Sequence, residues 1–349
     1  MTGYRAAIIG CGDISALHLA AIATLPDTEL VAVCDTDEGR LSAAATGNDV
    51  PGFADHLSLF ESVRPDVVHI CTPHSTHAAI AVDALERGIH VVLEKPVAHT
   101  RDEAARLVRA AEDSTAKIAI CFQNRYNAPV RAAHAALSSG ALGRVLGASA
   151  TVLWHRTAAY YLDRPWRGRW STGGGGLLMN QAIHTLDLVQ WLVGPVASVQ
   201  GSASTRFLSD VIEVEDTAEM VLTHENGARS VFYATLANAT NAPVDIQIVT
   251  EKATLHLRGD LTLTHADGTI QTVTETVATG ERAYWGVSHE LLIQDFYSTL
   301  TGDGDFWIDP RAARASFDII QDVYDQSFPD RADLLGSAIH DSTERNPQL

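Results

Sequence analysis

The first 120 residues constrain the fold most, because short runs of Val, Ile, Ala and Leu alternate there with helical stretches. AAIIG (6–10), LVAVCD (30–35), VVHIC (67–71), HVVLE (90–94) and KIAIC (117–121) are apolar along nearly their whole length. Helical spacing follows each of them, near 15–24, 37–45, 75–87, 101–113 and 129–139. A strand apolar on both faces has to be covered on both faces, and helices that return the chain between such strands leave them parallel. The expectation is a doubly wound α/β domain.

The pattern changes near residue 144. ASATVLWHR (148–156) and a helical stretch from about 176 to 193 precede a series of β runs, VASVQGSAS, TAEMVLTH, ARSVFYATL, VDIQIVT, ATLHLR and LTLTH. Most of these alternate apolar and polar residues, as half-buried antiparallel strands do. ENG (225–227) and ADG (266–268) punctuate them as turns. Helices are expected over roughly 286–301 and 310–327, with a polar, fraying tail after Pro329. A chain of 349 residues exceeds one ordinary core. The domains expected are 1–125 and 126–349, the second an α+β domain on a large, mostly antiparallel open sheet.

Charge excludes some partners. Lys+Arg number 25 against 43 Asp+Glu, a formal charge of −18, so nucleic acid and anionic membrane surfaces are not expected partners. No apolar run approaches membrane-spanning length, and MTGYRAAIIGCGD lacks a signal-peptide pattern. Cys11, Cys34, Cys71 and Cys121 include no CxxC pair and read as thiols of a reducing cytoplasm.

IIGCGDIS (8–15) lies between the first strand and the first helix, where a dinucleotide-binding turn belongs. Gly10 allows the tight turn, and Gly12 lets the backbone approach a pyrophosphate at the helix N-terminus, beside Asp13 and Ile14. Ser15 takes the third position of the fingerprint. Asp35 closes the second strand where a ribose-binding acid belongs, followed by Thr36. A carboxylate there repels a 2′-phosphate and no arginine follows immediately, Arg40 coming further on, so NAD is expected over NADP. The fold expected for 1–125 is therefore a Rossmann NAD-binding domain. Thr72, Pro73, His74 and His77 fall on the same rim, at the carboxyl end of a parallel strand, as does Glu94-Lys95. The two histidines read as cofactor wall or helix cap, and no metal is expected.

EKPVAHT (94–100) ends a buried strand with an ion pair and a proline. Lys95 could stabilise an alkoxide as hydride leaves, or the pair could simply close the strand. Glu94 would hold the lysine or meet the nicotinamide ribose. Farther on, Asn180 and His184 stand i, i+4 on one helical face in GGGGLLMNQAIHTLDL, with Asp187 near it. His184 can take a hydroxyl proton, or be a core or capping histidine. The glycines before it are read as a close backbone approach at a sugar-sized pocket.

GCGDIS with His18 after it, CTPHSTH, EKPVAHT, QNRYNAPV (123–130) and GGGGLLMNQAIHTLDL together resemble the Gfo/Idh/MocA family of sugar and cyclitol oxidoreductases over nearly the whole length. The resemblance implies Lys95 and His184 as catalytic residues, with a cis-proline after the lysine. It implies that Phe122, Gln123, Asn124 and Arg125 face the cofactor and substrate, and that the C-terminal sheet joins subunits into a homodimer or homotetramer. Many members carry Asp where this chain has Asn180, and a neutral amide can orient a histidine but not relay its proton. The substrate expected is a small sugar, sugar derivative or inositol. Trp154, His155, Arg156, Tyr160, Tyr161, Trp166 and Arg167 are candidates for its wall. The alternatives are an NAD-retaining sugar lyase or glycosidase with transient oxidation, and a non-catalytic NAD-binding sensor.

Overall fold

The computed structural model describes residues 3–275 and 288–336, in two compact units. The first comprises 3–127 and 288–314. Its parallel sheet has the order β3-β2-β1-β4-β5-β6, with β1 Tyr4–Ile9, β2 Thr28–Cys34, β3 Gly52–Phe53, β4 Val67–Ile70, β5 His90–Leu93 and β6 Ile118–Ile120. The helices between them are α1 Ser15–Thr24, α2 Glu38–Asn48, α3 His56–Val63, α4 His74–Leu85 and α5 Arg101–Asp113. Side chains written in the sequence start three of them. Asp37, Asp55 and Thr100 accept from the backbone N–H of Arg40, Ser58 and Glu103 at α2, α3 and α5. The strand order reverses between β1 and β4, which puts a crevice at their carboxyl ends. β3 and α3, absent from the expected elements, fill the span 52–63, where β3 is only two residues long.

Residues 288–314 pack within this first unit, although a single boundary at 125/126 would assign them to the second. The reason is burial. The helix Ser288–Thr299, which is α10 in chain order, lies on α1 and buries His289, Leu292, Ile293, Phe296 and Tyr297, and Ile308 accepts a bond from the Ile120 N–H. Of the expected helix 286–301, residues 286–287 lie outside the described residues.

The second unit comprises 128–275 and 315–336 of the described residues. Its eight-stranded sheet has the order β14-β13-β12-β11-β7-β10-β9-β8, antiparallel throughout except for β7 beside β10. The strands are β7 Val145–Leu153, β8 Val196–Ser204, β9 Thr217–His224, β10 Arg229–Thr235, β11 Asp245–Thr250, β12 Ala253–Arg258, β13 Asp260–His265 and β14 Ile270–Val273. α6 Ala128–Ser138 and α9 Ile183–Val193 pack on this sheet, with the short α7 Ala158–Leu162 and α8 Trp170–Gly173 between them in sequence. α11 Pro310–Ser327 and α12 Ala332–Gly336 end the description. α12 lies in the stretch expected to fray; residues 337–349 lie outside the described ones. β11 alternates throughout and β10 up to Ala234, leaving Val231, Tyr233 and Val249 exposed on the outward face. No described helix is long and apolar enough to cross a membrane.

Candidate active site

In the first unit the glycine turn is built by contact. Gly10 has φ +92°, and a Cβ there would lie 2.7 Å from the Cys71 carbonyl. Gly12 differs, since a Cβ on it would meet nothing within 4 Å. It precedes α1, whose first turn carries no side-chain cap. Open space above uncapped N–H groups is a cradle for a diphosphate. Asp35 reaches the same turn, its carboxylate accepting from the N–H of Cys11 and Asp37 at 2.8 Å each. Arg40, five residues on, returns over one turn of α2 to give it two further bonds of 3.3 Å. Burial alone would raise this carboxyl, but the Asp37 N–H, Arg40 and the Cys11 N–H together hold it below the ordinary value. These residues fit an NAD ribose and diphosphate. Asp13 is exposed and Ile14 half-buried at the same helix start, and Thr36 is exposed after β2.

At the carboxyl end of β4, Thr72 and Pro73 are half-buried, Pro73 occupies the α4 N-cap position and the Thr72 hydroxyl accepts from Thr76. His74 and His77 are buried. The His77 ring nitrogens lie 2.8 and 2.9 Å from the carbonyl oxygens of Pro96 and Thr72, so this residue ties the EKP loop to the β4 loop. Its side chain is fully buried between the two loops.

Glu94 and Lys95 part company at the end of β5. Successive strand residues point to opposite faces. Lys95 is half-exposed and its bond to Pro96 is cis. Glu94 is buried, and its Oε1 accepts from Nε2 of both His18 and His289 at 3.1 Å. Within the chain this oxygen goes to the two histidines and not to Lys95, the partner expected there. The chain continues from His18 Nδ1 to His69 Nδ1 at 2.9 Å and from His69 Nε2 to the Tyr297 hydroxyl at 3.0 Å. Neutral imidazoles satisfy the whole run. The Tyr297 O–H donates to His69, the His69 Nδ1–H to His18, and the His18 Nε2–H to the carboxylate. Burial would raise Glu94, yet the imidazole N–H groups of His18 and His289 hold it well below its ordinary value. Burial pushes His18 down and His69 well down. His18, Glu94 and His289 are also the described residues that could hold a metal ion, one ligand atom each within 4.8 Å of the others. The two imidazole–carboxylate bonds account for the arrangement without one. His69 and Tyr297 went unread in the sequence, although a histidine in the middle of VVHIC was the available signal.

Gln123, Asn124 and Arg125 form a 3-10 turn, Gln123–Tyr126. Asn124 is half-buried, while Gln123 is buried with its Oε1 lacking a hydrogen-bond partner among the described residues. Arg125 is buried, its guanidinium 5.9 and 5.6 Å from the ring centroids of Phe122 and Trp307. It packs between aromatics, which the expectation of a substrate-facing side chain did not include.

In the second unit the expected helix 176–193 begins as a π-helix over Leu178–Ala182 and becomes α9. Asn180 lies within the π turn and His184 in the first turn of α9. Both are half-buried, whereas Asp187 is buried and accepts from Gln190. The glycines do make a close approach, but to the chain itself. A Cβ on Gly176 would lie 2.1 Å from the Glu215 carbonyl oxygen, and one on Gly175 would lie 2.1 Å from the Tyr324 hydroxyl. The Glu215 carboxylate caps this helix start, accepting from the N–H of Gly176 and Leu178 and from the Tyr324 hydroxyl. Burial, only partly offset by those bonds, pushes it up to about 7.

Asn180 reaches one of the expected wall residues, Tyr160. The Tyr160 hydroxyl accepts from Asn180 Nδ2 at 3.2 Å and Gln181 Nε2 at 3.0 Å. The Arg167 guanidinium lies 4.3 Å from the Tyr160 ring centroid and 5.7 Å from that of Trp166. Arg156 lies 5.2 Å from the ring centroids of both Tyr160 and Trp154. The Trp154 indole donates to the Ala242 carbonyl and His155 Nδ1 meets that of Asn238, which fixes both on the loop 238–242. Tyr161 is buried.

A family model for an oxidoreductase family with an NAD-binding Rossmann fold matches residues 4–122, and one for the Gfo/Idh/MocA C-terminal domain matches 130–256. A WlbA dehydrogenase from Bordetella pertussis, solved with NADH and UDP-GlcNAcA, is 30% identical with a TM-score of 0.81, covering 94% of this chain and 97% of that one. D-apiose dehydrogenase of Paraburkholderia graminis is 28% identical over 278 residues, 76% of this chain and 71% of its own. D-glucoside 3-dehydrogenase of Escherichia coli is 32% identical over 201 residues, 54% of each. With an NAD-binding first domain, the motifs and both domain matches in agreement, the chain belongs to the Gfo/Idh/MocA family of oxidoreductases.

Proposed function

We propose that this chain is a cytoplasmic NAD-dependent dehydrogenase that oxidises a hydroxyl of a sugar, sugar derivative or inositol. The observation that carries the reading is the rim of the first unit: an open glycine turn, the Asp35 carboxylate and a half-exposed Lys95 all stand at carboxyl ends of strands of one sheet. Relatives named for D-apiose and D-glucoside oxidation support the substrate class. NAD, when bound, supplies the hydride acceptor. Gly10 and Gly12 seat its diphosphate, and Asp35 takes the ribose hydroxyls. Lys95 donates a hydrogen bond to the reacting oxygen and stabilises it as negative charge develops. His184 removes the hydroxyl proton as general base, and Asn180, tied to Tyr160, helps orient the substrate. The outward face of the eight-stranded sheet, with Val231, Tyr233 and Val249, is the surface proposed to join copies of the chain into dimers or tetramers.

The test is absorbance of reduced cofactor on mixing the protein with NAD and a panel of sugars, inositols and sugar acids. Substrate-dependent NADH, lost by roughly a hundredfold or more in Lys95→Ala and His184→Ala, is the expected result. Full activity in both variants would remove these residues from the chemistry.

A further inference from the structure

Arginine is concentrated in one short segment of a strongly acidic chain. Residues 156–169 hold four arginines and one acid, Asp163, where the whole chain has 43 acids to 25 bases. Arg169 is bound to Glu213. Arg156 and Arg167 both converge on one ring, 5.2 and 4.3 Å from the Tyr160 centroid, so the two cations stand no more than about 10 Å apart, close to a Debye length. The Arg156 hydrogen bonds go to the His155 carbonyl and the Asn241 side-chain oxygen, both uncharged. Two guanidinium groups thus stand on one half-buried ring in a molecule of opposite overall sign.

Tyr160 adds a directed donor. Its oxygen accepts from the Asn180 and Gln181 amides, which leaves the phenolic hydrogen to point away from both, with no acceptor among the described residues. Two guanidinium groups and an O–H gathered about one ring form a receptor for a planar anion, since arginine pairs bidentately with carboxylate. Asn180 joins this group to the helix that bears His184.

We infer that Arg156, Arg167 and Tyr160 bind a carboxylate on the substrate, so that the enzyme acts on sugar acids in preference to neutral sugars. The inference rests on the dehydrogenase reading above and names its substrate class. D-glucuronate, D-glucose and D-glucose 6-phosphate, each supplied with NAD, test it through kcat/KM. The acid is expected to exceed the neutral sugar by roughly tenfold to a hundredfold. Arg167→Gln and Arg156→Gln are expected to lower that acid-to-neutral ratio by tenfold or more, through KM, and Tyr160→Phe to lower it less. A ratio near one, or one unmoved by the arginine variants, overturns the inference while leaving the dehydrogenase reading standing. A phosphate ester preferred over the acid overturns the carboxylate assignment. Should none of the three reduce NAD, calorimetry of D-glucuronate against the NADH-saturated protein decides: binding lost in Arg167→Gln supports the anion site, and no binding overturns it.

Discussion

At the scale of single residues, Gly12 and Asp35 are where the cofactor role proposed for them can be told apart from the needs of the fold. A Cβ on Gly12 meets no protein atom within 4 Å, so Gly12→Ala is expected to keep the thermal midpoint within about a degree. The same methyl would occupy the approach to the diphosphate, and the NAD dissociation constant is expected to rise tenfold or more in a calorimetric titration. A variant that unfolds early, or binds NAD normally, would show that the open space serves another purpose. Asp35 carries a second prediction because it holds Arg40. Asp35→Ser removes the carboxylate that repels a 2′-phosphate and releases a guanidinium that can bind one. The NADP-to-NAD ratio of kcat/KM is expected to rise at least tenfold; no change would place Arg40 away from the 2′ position. The glycines and Asp35 were legible in sequence because motif and spacing carry them. Arg40 was discounted because sequence distance conceals a helical turn. The partners of Glu94 come from α1 and α10, with His69 of β4 behind His18, and no local pattern announces contacts so far apart in the chain.

At the scale of elements, sequence periodicity marks the spans that are strongly periodic. The α5 bounds, Arg101–Asp113, and those of α11, Pro310–Ser327, agree with the expected spans, and β8, β9 and β12 lie on the expected runs. The features it missed break the period or are too short to show one: the two-residue β3, the turns at α7 and α8, and the π-helix over Leu178–Ala182. The glycines before that π-helix were assigned to a ligand, whereas their neighbours are Glu215 and Tyr324, some forty and one hundred and fifty residues away in sequence. Gly176→Ala therefore belongs with the fold. Its Cβ would overlap the Glu215 carbonyl and displace the cap that starts the helix of Asn180 and His184. Destabilisation above about 2 kcal/mol is expected in urea unfolding, with a fall in kcat beyond the unfolded fraction. A variant of native stability would mean that the helix start yields without cost.

At the scale of the whole molecule, the two units bury carboxyl groups with opposite consequences for pH. In the first, Glu94 is held well below its ordinary value and His18 and His69 below theirs. The carboxylate contributes stability above its unfolded value of 4.5 and the imidazoles above 6.5, and each contribution is lost as pH falls toward the folded value. In the second, Glu215 rises from 4.5 to about 7, so its contribution is complete below 4.5 and is lost as pH climbs to about 7. A shift of that size is worth on the order of 3 kcal/mol. Burial lowers His224, which adds a loss on the acid side to the second unit, so the raw pH slope there mixes at least these two groups. The difference between the native chain and Glu215→Gln isolates one of them. Hydrogen exchange between pH 5 and 7.5, corrected for intrinsic rates, is expected to show the Gln variant gaining protection relative to the native chain around 175–182 as pH rises. The segments of β4 and α1 in both proteins should gain protection up to about pH 6.5 and show no difference between them. A native-minus-variant difference that stays flat with pH would mean that Glu215 remains ionised in the folded chain, its three donors outweighing its burial.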